Sequence, residues 1–144
     1  MKDILTFQGE YRWLSNFYPC TVVIESFVFK NAEAAYQSKK SKDWQKDVWG
    51  FAELSAWEAK MAGKALDLRE DWDVVKVDVM RQVVESKFRN NKMLACKLLE
   101  TGDVKLIEGN NWGDTYWGVC NGRGMNWLGH ILMDLRQRIQ KEAK

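Results

Sequence analysis

Residues 21–40 read TVVIESFVFKNAEAAYQSKK, a β-rich stretch that leads directly into a helix pattern. Apolar and β-branched residues dominate positions 21–29, and we expect this stretch to fold back as a hairpin near Glu25 and Ser26. Asn31 is a favoured N-cap residue, and the helix that it opens is expected to run to about Ser41. A pair of strands joined directly to a helix predicts an α+β fold.

Helix patterns cover most of the remaining chain. They lie at 44–53, at 55–66 behind a capping box of Ser55 and Glu58, at 73–90 with Asp73 as the cap, at 92–101 before Gly102, and at 127–142. Besides 21–29, only residues 4–7 and 105–108 are predicted to be strands. We therefore predict an α+β fold, mostly α, in which helices pack on a small antiparallel sheet.

Size and composition indicate one globular domain over residues 1–144, because hydrophobic residues make up 46% and charged residues 29% of the chain. The net charge of +2 argues against binding nucleic acid by bulk electrostatics. The start of the chain lacks a signal sequence, and no apolar run approaches the roughly 20 residues of a membrane span. Three widely spaced cysteines fit neither a disulfide scaffold nor a zinc site. We expect a cytoplasmic protein without membrane contact.

A segment rich in glycine and tryptophan precedes the last helix. Residues 110–118 read NNWGDTYWG, and residues 122–126 read GRGMN. Glycines let a backbone turn sharply or approach a ligand closely, and Asp114 offers a carboxylate between Trp112 and Trp117. The eight tryptophans of the chain indicate a cleft that stacks a flat ligand. In the alternative interpretation, this is a plain loop whose tryptophans only pack.

The helix after Asn31 carries a second group of polar residues. Glu33, Gln37 and Lys40 fall on one helix face with Tyr36 beside them, so a carboxylate, an amide and an amine are lined up over about two turns. The alternative is a solvated polar face whose charge pairs contribute only a few tenths of a kcal/mol.

Other polar and aromatic residues stand at turns and helix ends. Arg12 and Asn16 belong to an aromatic stretch before Pro19, which either contacts a ligand or forms a buried loop. Trp72 stands where a helix begins, so a hydrophobic staple explains it as well as ligand stacking does. Gly124 and Asn126 lead into the last helix, where a glycine-rich loop makes a natural anion site.

In their order along the chain, these motifs resemble the NADAR, or YbiA-like, family. The matching motifs are Leu14-Ser15-Asn16-Phe17-Tyr18, Glu33-x-x-Tyr36-Gln37-x-x-Lys40, Arg69-x-Asp71-Trp72-Asp73, Lys87-Phe88, Thr101-Gly102-Asp103, Asp114-x-x-Trp117-Gly118 and Gly124-x-Asn126-x-Leu128-Gly129. The resemblance runs from about Phe7 to Arg136, and seven motifs in register make it specific. Many family members have a histidine after the glutamate where this chain has Ala34, so any role of that histidine is absent here.

The resemblance implies an N-glycosidase that hydrolyses the C–N bond between a (phospho)ribose or ADP-ribose and a nitrogen base. Substrates associated with the family are early phosphoribosylamino-pyrimidine intermediates of riboflavin biosynthesis and ADP-ribosylated guanine, which occurs in nucleic acid. The residues that match the family's functional positions are Glu33, Trp72 and Asp114, with Lys40, Asn16 and Asn126 as further pocket candidates. No protein partner is indicated.

The residue types suit this reaction, because cleaving the bond needs protonation of the leaving nitrogen and creates positive charge at the anomeric carbon. Glu33 is expected to act as the acid/base group, and Asp114 to hold a ribose hydroxyl or a water. Alternatively, a neutral Lys40 attacks the anomeric carbon and forms a Schiff base with the opened sugar.

Binding roles follow for the remaining candidates. Tyr36 and Gln37 are expected to line the pocket; Trp72 and Trp112 or Trp117 to stack the base; and the helix end at Gly124 and Asn126, with Arg12 or Arg123, to hold phosphate. The scheme requires no metal or organic cofactor. One alternative is a non-catalytic module that binds ADP-ribose or a nucleotide, with Glu33 and Lys40 as a structural salt bridge. Another is a purely structural domain.

Overall fold

A computed structural model describes residues 1–143 of the chain. The strands are β1 Pro19–Ile24, β2 Phe27–Asn31, β3 Gly109–Asn110 and β4 Val119–Cys120. The α-helices are α1 Ala32–Ser38, α2 Trp44–Asp47, α3 Ala56–Gly63, α4 Trp72–Arg89, α5 Lys92–Glu100 and α6 Trp127–Glu142, and 3-10 helices cover Gly9–Leu14 and Val48–Gly50. The predicted α+β, mostly α, architecture is confirmed.

The chain divides into two compact units. The hairpin unit is Asn16–Asn91, and the terminal unit is Met1–Ser15 together with the residues from Lys92 onward.

The hairpin unit is built on the antiparallel pair of β1 and β2, in which Val22 lies opposite Phe29. Glu25 and Ser26 form the turn with φ values of 48° and 73°. Positive φ at both central residues suits the right-handed twist of a two-residue hairpin. The predicted fold-back is therefore confirmed.

Helix α1 begins as predicted, because the Asn31 side chain accepts a hydrogen bond from the Ala34 N–H at 2.7 Å. It ends at Ser38 rather than near Ser41. The N–H groups of Lys39 and Lys40 donate to carbonyls three residues back, so the helix tightens into turns there. Every residue of α1 is buried, and the helix packs against β1, α3 and α4.

Of the two N-caps predicted for the next helices, one is confirmed and one is wrong. The Ser55 capping box is confirmed with both of its hydrogen bonds to Glu58. Asp73 as the cap of α4 is wrong, because α4 begins at Trp72 with Asp71 in the cap position. The Asp71 carboxylate caps no backbone group and instead pairs with Arg69 at 2.7 Å. The helix predicted at 44–53 is α-helical only over Trp44–Asp47 and continues as a short 3-10 turn.

In the terminal unit α5 packs against α6, whose bounds are as predicted. Gly102 follows α5 with φ +67°, the left-handed conformation of a C-terminal glycine. Buried Arg136 of α6 donates to the Thr101 hydroxyl at 2.9 Å and to the Val104 carbonyl at 2.8 Å. These two bonds fix the turn that follows α5.

The β-strands that pair in the terminal unit are short. The strands predicted at 4–7 and 105–108 reduce to a parallel bridge between Ile4 and Leu106. The parallel ladder of β3 and β4 was not predicted, because two residues are too few to show an alternating pattern. Within residues 1–143, no helix combines the length and apolarity that a membrane crossing requires.

Candidate functional site

Glu33 is held in the first turn of α1. Its N–H donates to the carbonyl of Asn16 at 3.0 Å, so the motif around Asn16 fixes the start of the helix. The Glu33 side chain is 8% exposed, and its Oε1 accepts a hydrogen bond from Nε2 of Gln37 at 3.2 Å. Gln37 is 5% exposed. The interpretation of this helix face as a solvated polar face is therefore wrong.

Gln37 is confined from the other side by Gly63 of α3. A Cβ placed on Gly63 would lie 2.9 Å from Cδ of Gln37 and closer still to its Oε1. This oxygen is buried and has no hydrogen-bond partner among residues 1–143. Gly63 was not among the predicted site residues, although a glycine inside a predicted helix is itself a signal of close packing.

Tyr36, Trp72 and Lys40 lie together next to this pair. The ring centroids of Tyr36 and Trp72 are 5.3 Å apart, with the ring planes inclined at 55°. The ammonium of Lys40 lies 5.6 Å from the Tyr36 ring centroid, within the range of a cation–π contact. Trp72 is only 6% exposed, so its main contacts are with the core and it offers a ligand little more than an edge.

The charge of Lys40 is disfavoured by its surroundings. Burial lowers the pKa of its ammonium, the carboxylate of Glu33 opposes this shift, and the nearby charges of Lys60, Lys76 and Lys64 lower the pKa further. The Lys40 amine therefore loses its proton more readily than an exposed lysine, as nucleophilic attack requires.

Asp114, in the terminal unit, orders its own loop. Its Oδ1 accepts hydrogen bonds from the N–H groups of Tyr116 at 3.1 Å and Trp117 at 2.9 Å. The side chain of Asn110 bonds the backbone of Asp114 on both sides, accepting from its N–H at 3.0 Å and donating to its carbonyl at 2.8 Å. The sequence analysis did not predict this structural role.

Asn126 is likewise tied to its own unit. It is buried in the left-handed conformation at φ 53°, just before α6. Its Oδ1 accepts from the Glu108 N–H at 3.0 Å, and its Nδ2 donates to the Leu106 carbonyl at 3.0 Å. The side chain thus joins the start of α6 to the segment before β3.

The N–H groups at the start of α6 are already used. Those of Asn126, Trp127 and Leu128 donate to backbone carbonyls at positions 118, 116 and 117, over 3.3, 3.2 and 3.0 Å. A helix start binds phosphate through N–H groups that have no other partner. These three N–H groups are therefore not free to bind phosphate, and the phosphate contacts expected of Gly124 and Asn126 stay a prediction.

Glycines of this segment serve the packing of the chain itself. A Cβ on Gly124, at φ +151°, would lie 2.9 Å from the Val119 Cα, and one on Gly118 would lie 2.8 Å from the Asn110 Nδ2. Of the candidates for stacking, Trp112 is 55% exposed, whereas Trp117 is half-buried against Tyr116. Arg12 is exposed and donates to the Gly9 carbonyl at 3.1 Å.

Comparison with known proteins decides the family. The NADAR domain model matches residues 6–140. The chain belongs to the NADAR family. It is 36% identical over 136 residues to the N-glycosidase Npun_R5314 of Nostoc punctiforme, covering 90% of this chain and 86% of that protein. It is 35% identical over 134 residues to the riboflavin biosynthesis protein VVA0006 of Vibrio vulnificus, covering 91% of this chain but only 36% of that longer protein.

The NMR structure of the Escherichia coli protein YbiA has the same fold. It matches with a TM-score of 0.86 and 30% identity, over 99% of this chain and 89% of YbiA. The prediction of an N-glycosyl hydrolase is confirmed at the level of the reaction class, since relatives of similar length are named N-glycosidases.

Half of the predicted NADAR site residues lie in each unit. The hairpin unit holds Asn16, Glu33, Tyr36, Gln37, Lys40 and Trp72, which we call the Glu33 cluster, and the terminal unit holds Arg12, Trp112, Asp114, Trp117, Gly124 and Asn126. The contacts above connect the members of the Glu33 cluster. The meeting of Asp114 with Glu33 stays a prediction, as do the substrate contacts of both sets.

Lys87 of the NADAR motif Lys87-Phe88 is a second buried amine. It is 1% exposed, and burial lowers its pKa to about 8. Its ammonium lies 5.8 Å from the Tyr18 ring and 5.4 Å from the Phe88 ring. Burial also raises the pKa of the neighbouring Cys20 thiol, an effect that the charge of Lys87 opposes. An amine so enclosed has little access to a substrate, which indicates a structural role.

Proposed function

We propose that the chain hydrolyses the C–N bond between the anomeric carbon of a phosphoribose or ADP-ribose and a nitrogen base, with Glu33 as the acid/base residue. The observation that carries this proposal is the buried carboxylate of Glu33, held by Gln37 beside the half-buried amine of Lys40. A carboxyl group held in place beside the leaving nitrogen can protonate it as a general acid.

Glu33 has its place fixed at two points, the backbone bond to Asn16 and the side-chain bond to Gln37. A proton donor held in one position avoids the entropic cost of being oriented in the transition state. Protonation of the base nitrogen lets the C–N bond break with its electron pair going to the base. Water completes the hydrolysis by adding to the anomeric carbon and giving up a proton. Asp114 stays our candidate for holding that water or a ribose hydroxyl.

Lys40 provides the covalent version of the same reaction. Its neutral amine attacks the anomeric carbon as the base leaves with the proton from Glu33. The ring oxygen then takes up a proton as the sugar opens to a Schiff base, and water hydrolyses the imine to release the sugar and the amine. The lowered pKa of Lys40 supports this route, since it increases the fraction of amine in the reactive form.

For the substrate we propose early riboflavin-pathway phosphoribosylamino-pyrimidines or ADP-ribosylated guanine. The first choice is supported by the name of the Vibrio relative, a riboflavin biosynthesis protein. We propose a cytoplasmic location on the basis of the cysteines, all three of which are free thiols.

The test is to incubate the protein separately with a phosphoribosylamino-pyrimidine and with an oligonucleotide carrying ADP-ribosylated guanine. Mass spectrometry then detects the free base and the free sugar. We expect both products from at least one substrate, and the turnover identifies the preferred one. Retention of either compound without product would support the alternative of a binding module and contradict the proposal.

A further inference from the structure

Two lysines, Lys60 of α3 and Lys64 directly after its last residue, flank the glycine that packs on Gln37. Lys60 and Lys64 are four residues apart, so they lie on neighbouring turns of the same helix face, on either side of Gly63. The ammonium of Lys60 lies 6.0 Å from the ring centroid of Phe17. Because Phe17 follows Asn16, which binds the Glu33 N–H, Lys60 stands at the margin of the Glu33 cluster.

A third lysine approaches from α4. Lys76 is one helical turn beyond Trp72 and therefore on the same face of α4, and Trp72 contacts Tyr36 of the Glu33 cluster. The ammonium of Lys76 is 3.1 Å from the Asp73 carboxylate. Lys40 lies above the Tyr36 ring. Three segments of the chain therefore bring lysines to the edge of the Glu33 cluster: the turn after α1 with Lys40, the C-terminal end of α3 with Lys60 and Lys64, and α4 with Lys76.

Positive charges outnumber negative ones among the groups that act on Lys40, although Asp73 pairs with Lys76. The charges that act on Lys40 are one carboxylate, Glu33, and three ammonium groups, those of Lys60, Lys76 and Lys64. Within residues 1–143, neither Lys60 nor Lys64 forms an ion pair with a carboxylate. Like charges held close together lower the stability of the free protein, and an anion bound among Lys60, Lys64 and Lys76 relieves that repulsion.

We propose that Lys60, Lys64 and Lys76 form an anion subsite that binds the phosphate group of the substrate beside Lys40, at the edge of the Glu33 cluster. The identification of the anion as the substrate's own phosphate rests on the proposed function. Both proposed substrate types carry phosphate on the ribose that is cleaved. At the start of α6, by contrast, the N–H groups of Asn126, Trp127 and Leu128 already donate to carbonyls of the chain.

Binding of inorganic phosphate tests the subsite without any need for catalysis. Phosphate is titrated into the isotope-labelled protein, and the backbone amide signals are followed by NMR. We expect saturable shifts centred on Lys60, Lys64, Lys76 and Gly63. In Lys60→Met/Lys64→Met, we expect the dissociation constant for phosphate to rise at least tenfold, whereas Lys60→Arg/Lys64→Arg retains most of the affinity because the charges are kept.

The matched control is Lys30→Met/Lys46→Met, which removes two exposed lysines from the same unit, neither of which acts on Lys40. We expect its phosphate affinity to stay within twofold of the wild type. Lys64→Met, which changes an exposed residue, serves as a milder variant if the double substitution unfolds. Equal losses in the control and the test variant, or shifts that lie elsewhere, would refute the subsite. Phosphate binding without turnover would refute only the proposed function.

A comparison of ribose 5-phosphate with ribose as competitors links the subsite to the sugar. We expect the wild type to bind the phosphorylated sugar more tightly, and Lys60→Met/Lys64→Met to lose this preference. An unchanged preference in the double variant would show that the phosphate of the sugar binds somewhere else.

Discussion

Replacing Gly63 by alanine is expected to disturb the Glu33 cluster without touching any residue of it. The new Cβ would lie 2.9 Å from Cδ of Gln37 and closer still to Oε1, well inside van der Waals contact. Gln37 is 5% exposed and therefore has no room to swing into solvent. Its side chain must either stay compressed or give up the 3.2 Å hydrogen bond to Glu33.

Either response has a free-energy cost. Overpacking costs about 1–3 kcal/mol, and loss of a buried hydrogen bond to a carboxyl group costs a similar amount. The higher helix propensity of alanine offsets at most about 1 kcal/mol of this cost. We therefore expect Gly63→Ala to lower the free energy of unfolding by about 1–2 kcal/mol, measured by urea denaturation. We also expect turnover to fall at least tenfold, because the carboxyl group of Glu33 loses its support.

Two controls isolate the contact. A Cβ placed on Gly50 would have no atom within 4 Å, so Gly50→Ala should leave both stability and turnover close to the wild type. In a Gln37→Ala background Oε1 and Cδ are gone and only the Cβ contact at 3.3 Å remains, so Gly63→Ala should then cost much less than in the wild type. A Gly63→Ala protein with wild-type stability and turnover would refute the argument that Gln37 is held between Gly63 and Glu33.

Three further predictions concern the ionisable side chains. Borohydride added during turnover should trap a protein–sugar adduct at Lys40, detected by peptide mass spectrometry; its absence, with activity kept in Lys40→Arg, would rule out the Schiff base. Asp114→Ala should lower the free energy of unfolding by about 1–3 kcal/mol, because two backbone N–H groups lose their acceptor, while Asp114→Asn keeps the acceptor and most of the stability. If the carboxylate acts on the substrate, both variants lose turnover. Full activity of Asp114→Asn would show that the Asp114 carboxylate has no role in catalysis. The pKa of Lys87 is about 8 in the folded protein and 10.5 in the unfolded chain. The unfolded chain therefore binds more protons than the folded protein between these two pH values. The free energy of unfolding should rise between about pH 8 and 10.5, by up to about 3 kcal/mol. The test is urea denaturation in a Cys20→Ala background, because the raised pKa of the Cys20 thiol makes stability fall with pH and would mask the effect. The free energy of unfolding should rise with pH in the protein that keeps Lys87 and should not rise in Lys87→Met. Identical pH profiles of the two proteins would contradict the prediction.

The elements that the sequence predicted well are those with a local cause. The hairpin turn at Glu25 and Ser26, the Asn31 cap and the capping box at Ser55 each depend on residues within a few positions of one another. The apolar pattern of α6 extends over several turns, and its bounds were predicted correctly.

The features that the sequence alone did not reveal depend on competing or distant partners. Asp73 has the composition of a cap, but the helix starts earlier, with the Asp71 carbonyl accepting from the N–H groups of Val74 and Val75, while the Asp71 carboxylate pairs with Arg69. The helix start after Asn126 has the composition of an anion site, yet its N–H groups donate to carbonyls of residues 116–118. No local pattern reveals such tertiary partners.

For the candidate site, helical spacing placed Glu33, Gln37 and Tyr36 together, and the family motif added Trp72 from a distant segment. Spacing alone did not reveal that Gln37 packs on Gly63, because that contact joins two helices. For the same reason, the lysines of α3 and α4 around Lys40 were not predicted. Each of these side chains has an ordinary neighbourhood in the sequence.

The central claim is that Glu33 is the group that exchanges a proton with the leaving base. The most direct measurement is single-turnover release of free base by Glu33→Gln, with Glu53→Gln, an exposed carboxylate in the same unit, as the matched control. We predict that Glu33→Gln binds the substrate and keeps its fold but releases base at least a thousandfold more slowly, a loss at the scale of removing a general acid. Glu53→Gln should release base at the wild-type rate. Release by Glu33→Gln within tenfold of the wild type would contradict the account and leave Glu33 as a structural residue of α1.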